Sequence, residues 1–116
     1  MASVNIANDE QRIVIRTLND QFRKTGIGGQ MFLTAGVQAL SEATRAKIMQ
    51  AVREYDDFTE KNDPYGEHDF AAFEVDGHDL FWKIDYYDKD LMYLSQDASN
   101  TDLTTRVMTI MLSEEY

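Results

Sequence analysis

The chain of 116 residues has no cysteine, one proline and no apolar run approaching bilayer length. Without cysteine there is no disulfide framework and no thiol nucleophile. A zinc site would have to be completed by carboxylates, because there are only two histidines. Lacking about 18 consecutive apolar residues, the chain is not expected to cross a membrane as a helix. No signal-peptide pattern opens it, so a cytoplasmic protein is expected. Basic residues are scarce in one half. Residues 54–102 hold three lysines against fifteen Asp/Glu, whereas residues 1–53 hold seven Lys/Arg against four Asp/Glu, within a net charge of −10. Phosphate-backbone recognition needs a basic surface, so direct nucleic-acid binding is not expected. Nucleophile triads, dinucleotide fingerprints and metalloprotease motifs are also missing. Gly26-Ile-Gly-Gly lacks the Gly-Lys-Ser/Thr ending and the preceding strand of a phosphate loop, and reads as a turn.

What is present suffices for one domain with one core. Its organising stretch is Glu67–Asp88, EHDFAAFEVDGHDLFWKIDYYD. Asp76-Gly77 between runs rich in aromatic and β-branched residues predicts a two-residue type I′ hairpin, whose central positions both need positive φ. Val75 then pairs with His78, Phe73 with Leu80, Ala71 with Trp82 and Asp69 with Ile84. Because side chains alternate along a strand, Ala71, Phe73, Val75, Leu80, Trp82 and Ile84 share the core face. The opposite face carries His68, Phe70, Ala72, Glu74, Asp79, Phe81, Lys83 and Asp85, with His68 across from Asp85 and Phe70 across from Lys83. Ala71-Ala72, between two phenylalanines, is where a bulge would disturb this register.

Around the hairpin, residues 1–7 read as a loose lead-in. Asn8 as N-cap, Gln11 at N3, and Val14, Ile15, Leu18 and Phe22 at helical spacing predict a first helix over 8–25, stopped at Gly26. Gln30–Thr34 reads as a short strand. Ser41 opens a second helix over about 42–56, with Ile48, Met49, Val52 and Tyr55 on one face and Arg45, Lys47 and Arg53 in solvent. Asn62-Asp-Pro-Tyr-Gly66 is a turn cluster. Leu91–Leu94 reads as a third short strand and Ser95–Asn100 as a polar loop. In the last segment Leu103, Val107, Ile110 and Met111 fit a helix capped by Asp102, while Val107–Leu112 also fits a buried strand. The patterned length favours the helix. The fold class expected is α+β: a small antiparallel sheet built on a central hairpin (67–88) and packed against two or three helices.

Two polar groupings stand out. His68, Asp85 and Lys83, with Glu67, Asp69 and Tyr87 nearby, place an imidazole among carboxylates, as a general base or a divalent-metal site requires. The plainer reading is a cross-strand ion pair on a solvated face. Asp85, Tyr87, Asp88, Asp90 and Tyr93 make an acidic, aromatic surface, since one tyrosine of Tyr86-Tyr87 must face away from the core. Its plain reading is solvation; the sharper one is contact with a basic protein, in the limit as a decoy for nucleic acid, whose duplex carries a charge about every 1.7 Å. The six methionines, spread through apolar segments, read as packing.

The segments LTAGV (33–37), NDPYGEHDF (62–70), FEVDG (73–77), FWKIDYYD (81–88) and TTRVMTIMLSEEY (104–116) resemble a domain-of-unknown-function family of alphaproteobacteria, often carried on plasmids and other mobile elements. The resemblance implies no reaction and no cofactor. The mobile-element setting implies a role in host defence or plasmid maintenance. With the charge segregation, it leads to the expectation of a non-enzymatic binding domain using Glu67, Asp69, Asp85, Tyr87, Asp88, Asp90 and Tyr93 against a basic protein, such as a restriction or CRISPR nuclease that it blocks. The alternatives are a small enzyme or metal-binding protein using His68 with Asp85 or Glu67, and a structural or regulatory subunit, which an uninterrupted apolar patch around Phe70 and Phe81 would favour.

Overall fold

In the computed structural model the backbone is described from Ala2 to Tyr116 and the side chains from Asp9 onward. The elements are α1 (Ala2–Thr25), β1 (Gly29–Leu33), α2 (Ala35–Gln38), α3 (Glu42–Glu54), β2 (Phe70–Val75), β3 (His78–Tyr87) and β4 (Thr105–Leu112), followed by a 3-10 turn, Ser113–Glu115. The class is α+β.

Asp76 and Gly77 have φ of +51° and +81°, as a type I′ loop demands. Val75 pairs with His78, Phe73 with Leu80 and Ala71 with Trp82, and the register runs through Ala71-Ala72 without a bulge. Helix α3 pins the loop: Lys47 Nζ lies 3.0 Å from Asp76 Oδ1, and Thr44 Oγ1 donates to Oδ2 at 2.9 Å. The bond from Lys47, then that from Thr44, holds the Asp76 carboxyl below its usual range. On the inner face Ala71, Leu80, Trp82 and Ile84 meet Met108 and Ile110 of β4. Phe22 of α1, Val37 of α2, and Ile48 and Val52 of α3 close over them. The helices therefore lie on one face of the sheet.

The sheet order is β1-β4-β3-β2. The hairpin thus occupies one side of the sheet, with β2 at the edge, and the sheet is mixed because β1 runs parallel to β4. The C-terminal segment is a strand, not the helix that its patterned length favoured. Arg106, Met108 and Ile110 point inward in strict alternation, and β-branched residues fill the positions between partners on both sides. Leu103, counted toward a helix, lies outside the strand. Leu91–Leu94 forms no strand; a single bridge joins Tyr87 to Leu94.

Helix α1 already begins at Ala2. Met1 and the side chain of Asn8, the expected cap, lie outside the described residues. The buried stripe of α1 is Ile15, Asn19, Phe22 and Arg23, while Val14 is exposed. Helix α3 has its expected cap, Ser41 Oγ accepting from Thr44 N. Arg45 is not free in solvent, since its guanidinium donates to the carbonyls of Gln38 and Leu40.

On the outer face Phe70 and Phe81 stack at 5.2 Å, and Tyr116 sets its ring edge-on to both. The Glu115 carboxylate holds the C-terminal turn there by accepting from Gly36 N at 3.0 Å and Leu112 N at 2.8 Å. Beside this aromatic group, Lys83 and Asp85 pair at 3.1 Å. The apolar patch is thus both capped and interrupted.

Candidate functional site

One backbone angle decides the fate of His68. Asp69 still belongs to the ladder, its carbonyl accepting from Ile84 N at 2.8 Å. His68 has φ +55°, a left-handed conformation that turns it off the strand before it can sit across from Asp85. Its ring goes to the helical side. Nδ1 lies 2.9 Å from Asp20 Oδ1 of α1, and Nε2 lies 3.7 Å from Asp63 Oδ2. The ring stacks on Phe58 at 3.7 Å, nearly parallel. The backbone N–H of His68 also points at the Asp63 carboxylate, 3.3 Å away. Asp20 in turn accepts from Arg23 Nη2 at 3.0 Å. The trio His68, Asp85 and Lys83 is therefore not assembled: Lys83 and Asp85 pair on the outer face, and His68 is clamped between two other carboxylates. Among the described residues, no group of three or more His, Cys, Asp or Glu is arranged to hold a metal ion.

Behind this clamp lies a buried polar network. Asn19 Nδ2 donates to the Glu67 carbonyl at 2.9 Å and to Tyr86 Oη at 2.8 Å, and Tyr86 Oη donates to Glu67 Oε1 at 2.7 Å. Arg106 Nε donates to Asn19 Oδ1 at 2.7 Å, and its Nη2 to the Ala98 carbonyl at 2.6 Å. Burial, then the bond to Glu67, pushes the Tyr86 hydroxyl well above its usual range, so it stays a donor. Asn19 and Arg106 were missed by sequence reasoning. Each sits at a core position that hydrophobic periodicity scores as a defect, and their partners lie far along the chain.

Asp69 is crowded here. Burial, then the charges of Glu67, Asp63 and Asp85, raise its carboxyl to about 6. Glu67, Asp69 and Asp85 thus feel one another, as a clustered acidic region requires, although all three are half-buried. The folded state holds this proton more tightly than the unfolded chain. The stabilisation is full below the unfolded value of about 3.9 and is lost as pH rises through about 6. Asp69→Asn is therefore expected to stabilise the protein at pH 7 and above by about 1 kcal/mol after solvent screening, with no gain below about pH 4. Thermal melts of both proteins across that range check this. A gain that persists in acid would point to another cause.

The remaining expected contact residues lie at the end of β3. Asp88 Oδ1 accepts from Met92 N at 3.0 Å, and Asp88 N donates to the Tyr93 carbonyl at 2.8 Å, which builds a closed loop over 88–94. Leu91 is held at φ +58°, unusual for a residue with a branched side chain. Four successive apolar side chains stand out from the loop: Leu91 at 42% exposure, Met92 at 69%, Tyr93 at 71% and Leu94 at 73%. A hollow of about 390 Å³ lies beside them, lined by Asp88, Lys89, Tyr93, Leu94, Asp102 and Leu103 among others. Asp90 is exposed on the same loop, while Tyr87 is half-buried beside Leu94.

The family model of DUF3768, protein of unknown function, matches residues 33–115. The chain belongs to this family. No curated protein and no solved structure matches the chain. The DUF3768 match takes in β2, β3, β4, the 88–94 loop and the clamp residues Asp63 and His68, but of β1 only Leu33. Helix α1, which supplies Asn19, Asp20 and Arg23 to both polar networks, precedes it. Among the described residues, no helix is long and apolar enough to cross a membrane.

Proposed function

We propose that this member of the DUF3768 family is a non-enzymatic protein-binding domain whose contact surface is the 88–94 loop and its acidic flank. The supporting observation is the run of four exposed apolar side chains from Leu91 to Leu94 on a loop closed by its own hydrogen bonds. Water-facing leucine, methionine and tyrosine in one contiguous patch lose hydration favourably only when another surface covers them. Tyrosine and methionine are also enriched at interface centres. Asp88, Asp90 and Asp102 rim the patch, so the surface suits a partner with an apolar centre and a basic edge, as nucleic-acid-binding proteins often present. Asp90 and Tyr93 are the exposed members of the expected contact set. Glu67, Asp69, Asp85 and Asp88 are half-buried carboxylates, and Tyr87 is half-buried with them.

The narrower reading, a nucleic-acid-mimicking inhibitor of a defence nuclease, rests on the charge segregation and the mobile-element association. Less supports it than supports a mixed apolar and acidic contact, because Asp90 is the one exposed carboxylate of the expected contact set. The enzymatic reading keeps less support, because His68 meets neither Asp85 nor Lys83: Nδ1 is bonded to Asp20, and Nε2 stands 3.7 Å from Asp63. The subunit reading is disfavoured by the capping of Phe70 and Phe81 by Tyr116.

The test is capture of basic proteins from a lysate on immobilised protein. Wild type is compared with a Met92→Ser/Tyr93→Ser/Leu94→Ser variant and with Asp88→Lys/Asp90→Lys. Capture should fall with salt for wild type, fall at least about tenfold for the apolar variant, and fall less for the charge variant. Displacement of the partner by duplex DNA would select the mimicry reading. Undiminished capture by both variants would overturn the assignment of this loop.

A further inference from the structure

We propose that the end of the sheet where β1 and β4 begin is a binding site for the phosphate group of a small phosphorylated molecule, built on Arg106, Lys89 and Thr101 around the Gly28-Gly29 turn. The reading is independent of the protein-contact loop. Two adjoining hollows, of about 330 and about 240 Å³, share Gly28, Thr101 and Arg106 as walls. The larger falls in the size range of small-molecule sites, about 300–1,000 Å³. Neither is lined by a single Asp or Glu, in a chain with 21 acids and 11 Lys/Arg. No carboxylate of the acidic half lines either hollow; Lys89, Arg106 and Thr101 are among the donors, while Leu18, Phe22 and Ile27 form an apolar wall in the smaller one.

Arg106 makes the case specific. It is 3% exposed, yet no carboxylate pairs with it among the described residues. A buried guanidinium is costly, and this one is compensated by two neutral oxygens, by the face of Tyr86 5.2 Å away and by the Glu67 carboxylate acting from beyond ion-pair distance. Nε and Nη2 are used on Asn19 and Ala98, which leaves Nη1 without a hydrogen-bond acceptor among the described residues. Arg106 lines both hollows, and the same network fixes its guanidinium plane. Lys89 Nζ makes no ion pair or hydrogen bond among the described residues and stands over the larger hollow. The hydroxyl of Thr101 is likewise uncommitted, whereas that of Thr104 is used on the Asp97 carbonyl. Gly28, at φ +109°, and Gly29, where a Cβ would fall 2.3 Å from the Arg106 carbonyl oxygen, allow the turn to lie flat against this wall. An anion seated there would accept from the free Nη1 of the guanidinium and from the Thr101 hydroxyl, and would meet the point charge of a lysine. That is the chemistry of a phosphate with three free oxygens.

The full chain is titrated with inorganic phosphate and, separately, with a nucleoside diphosphate, against sodium chloride at matched ionic strength. Melting temperature and the amide resonances of Gly28, Gly29 and Thr101 are followed. Saturable stabilisation by phosphate, with shifts confined to these residues, is expected. Tighter saturation by the nucleoside diphosphate would identify a nucleotide as the source of the group, and equal saturation would identify a simple phosphate ester or free phosphate. Lys89→Ala/Thr101→Val alters only exposed side chains, so it should fold as wild type and bind about tenfold more weakly. Arg106→Lys should bind more weakly still, because a single ammonium cannot hold Asn19 and Ala98 and also donate to the anion. A response to phosphate no different from chloride, or unchanged affinity in Lys89→Ala/Thr101→Val, would overturn the proposal.

Discussion

Trp82→Ala is expected to remove about 3–5 kcal/mol of stability, enough to unfold a domain of this size at physiological temperature. Trp82 is fully buried and heads the fully buried side chains by volume. Tyr55 and Phe58 meet it edge-on at 6.0 and 6.1 Å, and Arg23 stands 5.3 Å from its ring. Truncation forfeits the transfer free energy of the indole. It also leaves a cavity between the sheet and the two long helices that a β-strand backbone cannot collapse to fill. Trp82→Phe should cost much less than its lost volume suggests, because the indole Nε1 has no acceptor among the described residues and phenylalanine removes that donor. Urea unfolding of the three proteins decides it. If Trp82→Ala lost no more than about 1 kcal/mol, the packing of the helices over this strand would be wrong.

Arg23→Met is expected to cost about 3 kcal/mol, with an unfolding slope like that of wild type. Arg23 is buried on α1, and its Nη1 donates to the carbonyls of Val52 at 2.8 Å and Arg53 at 3.2 Å, at the C-terminal end of α3. Those carbonyls belong to the last turn, where a helix cannot satisfy them itself and where a cation is favoured. The same guanidinium pairs with Asp20, the carboxylate that faces His68 Nδ1, and stands over the rings of Phe58 and Trp82. Methionine fills the volume and makes none of these bonds. Arg23→Lys should recover less than half the loss, since a single ammonium cannot serve α3 and Asp20 at once. Arg23 and Trp82 are in contact, so their effects should not add, and a double-mutant cycle should show coupling of about 0.5–2 kcal/mol.

The hairpin was legible because everything that makes it is local. A turn with two positive-φ positions suits Asp-Gly, and a period of two then assigns every flanking residue to a face. Trp82 and Ile84 went inward and Lys83 and Asp85 outward for that reason. His68 broke the rule because a single left-handed residue ends the alternation, and neither composition nor spacing marks where that happens. Its partner on α1 is 48 residues away. The α1 stripe failed for a related reason. Asn19 and Arg23 look like solvent-facing residues until acceptors arrive from Glu67 ahead of β2, from β3 and from α3, and periodicity weighs a buried polar residue as evidence against burial. The C-terminal segment was ambiguous because a strand buried on both sides and a short buried helix share one apolar pattern. Only pairing with β1 and β3 resolves it.

Seen alone, the order of residues determined the turn, the two faces of the hairpin, the identity of α3 and the uneven charge. Each of these follows from interactions within a few residues or from counting. Tertiary structure decided where β4 lies, which polar side chains are buried, which carboxylates hold His68 and which apolar side chains between 88 and 94 stay in water. Those outcomes depend on which distant group arrives to satisfy a donor or cover a surface. A linear pattern does not specify that partner, because the free energy of a buried polar or apolar group is set by what finally surrounds it.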